Sequence, residues 1–69
     1  MGNLMAKFVV EIINAGKVEK VETVDASTPI RAASIMIGAS VTFRRKQDRW
    51  IRVTPAGAQA SYQFVEAKP

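Results

Sequence analysis

Arg44, Arg45, Lys46, Arg49 and Arg52 surround Trp50, the only tryptophan of the chain. Opposed by one acid, Asp48, these five cations carry the whole formal excess of +4; the other basic and acidic residues cancel. A charge excess gathered into one short stretch speaks of an anionic partner more directly than a high isoelectric point does. Guanidinium groups neutralise phosphates, and an indole offers a face on which an unpaired base stacks. The same residue types make hot spots in protein interfaces. They also occur as a cation–π pair on a plain surface, worth ~0.5–1 kcal/mol. A last alternative places Trp50 in the core with Ile51 turned outward.

Other chemistry is thinly represented. Histidine and cysteine are both absent, which removes disulfides, thiolate nucleophiles, zinc fingers and every histidine-based catalytic arrangement. Ser27, Ser34, Ser40 and Ser61 have no base to activate them. Along an extended strand Glu22 points away from Glu19 and Asp25, so no carboxylate pair converges. Gly57-Ala58-Gln59-Ala60 lacks the glycine spacing and the lysine of a phosphate loop. The expectation is a protein that is not an enzyme and uses no cofactor or metal. No run approaches the ~18 apolar residues of a membrane span, and Phe8-Val9-Val10 is cut short by Glu11. A cytoplasmic protein is expected, or a virion component if a phage encodes it.

The elements that must position the basic stretch follow from local signals. Met5-Ala6-Lys7 reads like a second start, so residues 1–6 are expected to be a flexible extension and 7–69 one domain. Lys7–Ile13 is rich in β-branched residues and reads as a strand. Asn14-Ala15-Gly16 reads as a three-residue hairpin loop with Gly16 left-handed, and Lys17–Asp25 as the returning strand. That loop sets Phe8, Val10, Ile12, Val18 and Val24 on one face and Val9, Ile13 and Val21 on the other. Thr28 and Pro29 start a helix as N-cap and first residue, and Gly38 ends it. Ile30, Ala33, Ser34 and Ile37 would line its buried face. Val41–Arg45 and Arg49–Thr54 read as a second hairpin closed by Lys46-Gln47-Asp48. A turn at Thr54-Pro55-Ala56-Gly57, with Pro55 second and Gly57 fourth, leads to a last strand, Tyr62–Ala67. The fold class is α+β: an antiparallel sheet of four or five strands, ordered β-β-α-β-β-β, with one short helix on one face.

Register then gives the basic stretch its meaning. Pairing Phe43 with Ile51 and Val41 with Val53 gathers the apolar residues on one face. Thr42 then opposes Arg52 and Arg44 opposes Trp50 on the other, whereas a slip of one residue scrambles both faces. Trp50 is therefore expected outside, flanked by Arg44 and Arg52, with Arg45, Lys46 and Arg49 adding backbone contacts to a nucleic acid. The spare apolar face of the first hairpin, Val9, Ile13 and Val21, is expected to meet a protein partner or a second copy, giving a homodimer. Two functions follow: a small nucleic-acid-binding module, or a protein-binding structural or inhibitory protein. In size and lack of catalytic residues the chain resembles accessory proteins of phages and mobile elements, a likeness that no motif carries.

Overall fold

The computed structural model describes residues 5–44 and 46–67. Its elements are β1 (Ala6–Asn14), β2 (Lys17–Ala26), α1 (Pro29–Ile37), β3 (Val41–Phe43), β4 (Arg49–Pro55) and β5 (Tyr62–Glu66). All five strands form one sheet of order β2-β1-β4-β5-β3, every neighbouring pair antiparallel. With α1 packed on one face, this is the α+β architecture expected from the sequence.

The first hairpin turns on two residues where three were expected. Asn14 pairs with Lys17, and Ala15 and Gly16 have φ of 52° and 80°. Two successive positive φ values mark a type I′ turn, whose twist matches that of the strands. The residue gained by the strands reappears as a bulge. Ile12 pairs with Lys20 but Ile13 pairs with Val18, leaving Glu19 without an opposite number. Val18 thus leaves the face of Phe8, Val10 and Ile12 and joins Ile13 on the other side.

The helix begins and ends as its local residues dictate. Thr28 Oγ1 accepts from the Arg31 N–H at 3.2 Å, Pro29 fills the first turn, and Gly38 stops the helix at φ 69°. Its buried face is shifted from the expected one. Ala32 and Ala33 are fully buried, and Met36 and Ile37 pack beside them, whereas Ile30 and Ile35 are exposed. Two alanines let the helix backbone approach the sheet closely. Ser34 instead turns its hydroxyl to the Ala39 carbonyl at 2.9 Å. The core below comprises Phe8, Val10, Val24, Ala26, Ile51, Val53 and Phe64.

The second hairpin does not form. β5 lies between β3 and β4, pairing Phe43 with Phe64 on one side and Ile51 with Phe64 on the other. Val41 pairs with Glu66 and Val53 with Tyr62. The reason lies in β5, where adjacent Phe64 and Val65 are both buried. They point to opposite faces, so this strand needs cover on both sides and takes an inner place. The turn before it also differs. Ala58 N–H donates to the Pro55 carbonyl at 2.9 Å, making Pro55 the first residue of the turn and Gly57, at φ 81°, the third. Such a φ at the third position is that of a type II turn.

Candidate nucleic-acid interface

Alternation along β4 divides its side chains cleanly. Ile51 and Val53 enter the core, while Trp50, Arg52 and Thr54 point to the face without the helix. Trp50 is half-buried there, next to Ile13 on β1. The core alternative for Trp50 is thereby excluded: Ile51 is the inward residue.

Although β3 and β4 are not neighbours, the face of each residue survives. Two residues brought level across one intervening strand still point the same way. Arg44 N–H donates to the Gln63 carbonyl at 3.1 Å, and Gln63 is paired with Arg52. The expected cross-strand rows are therefore exchanged: Arg44 is level with Arg52, and Thr42 is paired with Val65. Only residues 44–48 connect β3 to β4. Val65, on the helix-free face of β5, is only 1% exposed. At the far end the Asp48 carbonyl accepts from the Ala15 N–H at 3.0 Å, which ties the connection to the first turn.

The geometry around the indole is specific. The Arg44 guanidinium carbon lies 3.9 Å from the Trp50 ring centroid, and that of Arg52 lies 5.9 Å away. Arg44 also donates to Gln63 Oε1 at 2.9 Å. Arg52 is fixed by a bidentate pair with Glu11, Nε to Oε1 at 2.7 Å and an Nη to Oε2 at 3.1 Å. Those hydrogen bonds hold the Glu11 carboxyl below its ordinary pKa, against a smaller opposing effect of burial. They raise Arg52 correspondingly. An open trough of about 440 Å³ runs beside the indole, with Ile13 and Val18 in its wall and Arg44, Gln47 and Arg52 at its rim. No family model, curated protein or solved structure matches the chain.

The remaining expected residues are spread out. Arg45 lies outside the described residues. Lys46 is exposed in the connection. Arg49 has the alternation of Ile51 and so leaves the Trp50 face; it pairs with Glu19 at 3.6 Å. Among the described residues, Arg44 and Lys46 have no ion-pair partner, whereas Arg49 and Arg52 do. The expected partner surface is divided as well. Val9 is half-buried, Ile13 is 4% exposed and Val21 is 52% exposed, all on the helix-free face. Glu11 was expected on this face but not as the partner of Arg52; Val18 and Gln63, which also lie on it, were missed. The bulge hid Val18, and the inner position of β5 hid Gln63.

Arg44, held over the Trp50 ring, gives one N–H to Gln63 Oε1 and has further guanidinium N–H donors to offer. It can take a phosphate at its edge without leaving the ring. A base could stack on its outer surface, extending a sandwich already begun by Trp50. Stacking directly on the near side of the indole would first require Arg44 to move.

Proposed function

We propose that this chain is a non-enzymatic module that binds single-stranded nucleic acid on its helix-free sheet face. The observation carrying this reading is Arg44, stacked 3.9 Å from the Trp50 centroid and without an acidic partner among the described residues. Arg44 takes a phosphate or carries a base, Trp50 supports it from below, and Lys46 adds charge at the rim. Arg52 is a positioning residue, because Glu11 already answers its charge. Such a protein works in the cytoplasm, or in a virion if a phage encodes it.

The test is anisotropy of labelled single- and double-stranded oligonucleotides over a range of salt. Binding should weaken steeply as salt rises. Arg44→Ala should weaken it for all sequences and reduce the salt slope by about one. Equal binding by the wild type and Arg44→Ala would contradict the reading.

A second reading is favoured by Val18 and Val21, which expose 48% and 52% of their surface on the same face. Apolar exposure of this kind suits a protein partner, as in a structural or inhibitory accessory protein. Absence of binding to any nucleic acid at low salt would put that reading first.

A further inference from the structure

We infer that two copies of this chain join edge to edge through β2, with Val21 opposite Val21 of the second copy. The sheet has unequal edges: β3 offers three residues, β2 ten. A long unpaired edge is a template for another strand.

The direction of the backbone groups on β2 follows from those on β1. The Lys7 carbonyl accepts from the Ala56 N–H and so points toward the β4 side. Alternation then aims the amides of Phe8, Val10 and Ile12 at β2. Pro55, which has no N–H to give, stands opposite Phe8 on the other side. On β2 the partners Val24, Glu22 and Lys20 point back at β1. The N–H and C=O groups of Val21, Thr23 and Asp25 therefore point outward, free of β1.

Charge selects the register. A two-fold axis at Glu22 would oppose two glutamates, and one at Lys20 two lysines; like charges directly opposite are destabilising. An axis at Thr23 would oppose Glu22 to Val24 and Val21 to Asp25. An axis at Val21 opposes Lys20 to Glu22 twice and sets the two Val21 side chains together. It also centres the pair on a residue whose N–H and C=O both point outward. Lys20 and Glu22 already approach to 3.4 Å within one chain, so pairing creates four charges of alternating sign. The bulge at Glu19 ends the regular ladder and keeps the contact short.

A two-fold axis of this kind stands perpendicular to the sheet. It leaves both helices on one side and both Trp50 residues on the other. Five strand spacings separate the two β4 strands, a lateral distance of about 24 Å. Only the consequence that two nucleic-acid sites then act together rests on the proposed function; the dimer does not.

The experiment is sedimentation equilibrium at tens of micromolar protein with no nucleic acid present, so the outcome is independent of the binding reading. The wild type should show twice the 7.6 kDa chain mass. Lys20→Glu and Glu22→Lys should each weaken association by roughly tenfold, since each places like charges opposite one another twice. The double exchange should restore it. Both positions are exposed, and circular dichroism checks that each variant is folded. A monomeric wild type, or a dimer indifferent to both single reversals, would overturn the inference.

Discussion

Arg44 and Trp50 divide the work of the proposed site between charge and surface. Replacing Trp50 by Ala removes a half-buried ring beside Ile13, so it should cost roughly 2–3 kcal/mol, less than a fully buried ring. Trp50→Phe keeps an aromatic support and should stay folded, which makes it the variant of choice for binding studies. Glu11 and Arg52 form the other half of the local chemistry. Because the Glu11 carboxyl is held below its ordinary value of 4.5, its pairing stabilises the fold above that value. The contribution fades as pH falls through the depressed pKa. Glu11→Gln should therefore melt below the wild type at neutral pH, by an amount worth ~1 kcal/mol for a partly exposed pair. The gap should close on acidification, and thermal melts at successive pH values check this. A constant gap would mean that the carboxylate charge contributes nothing. That these residues share a face was legible in the sequence through the two-residue alternation of strands. Their partners were not, because Glu11 and Gln63 come from elements distant in the chain.

At the scale of elements, the helix was readable nearly to the residue, since its signals are local. Thr28, Pro29 and Gly38 act within one turn of themselves. Thr28→Ala should cost ~1 kcal/mol by leaving the Arg31 N–H without its acceptor. Gly38→Val should cost more. Space is open around a Cβ at this position, so the whole penalty comes from the φ of 69°, which a β-branched residue resists. Ala15 shows the converse. It carries φ 52° without being glycine, and Ala15→Asn supplies a residue that tolerates that conformation in a type I′ turn. A stabilisation of ~0.5–1 kcal/mol is expected in denaturant melts; a lower midpoint would argue against the two-residue turn. The strand order was not legible in the same way. A hairpin between β3 and β4 satisfied every local signal, and only the adjacent apolar pair Phe64-Val65 in β5 pointed to an inner strand. The face of the helix was likewise decided by packing, which chose Ala32 and Met36 over the expected Ile30 and Ser34.

Across the whole molecule, one layer of sheet carries a helix on one side and a face of mixed character on the other. The molecule measures 40 × 28 × 17 Å, and the helix-free face extends across the five strands of the sheet. None of the described helices is long and apolar enough to cross a membrane. The local charge excess of the 44–52 stretch is partly answered inside the fold, since Arg49 and Arg52 meet Glu19 and Glu11. The salt dependence of binding should accordingly reflect fewer phosphate contacts than the five basic residues of the 44–52 stretch would give. Because Trp50 is the only tryptophan, its emission reports this face alone. The most direct measurement is therefore the fluorescence of Trp50 during titration with a single-stranded oligonucleotide at 50 mM salt, repeated at 300 mM. Binding on this face should change the emission saturably at the lower salt and shift the titration to much higher concentration at the higher salt. Emission unchanged while anisotropy reports binding would place the nucleic acid elsewhere; no binding by either signal would contradict the proposed function outright.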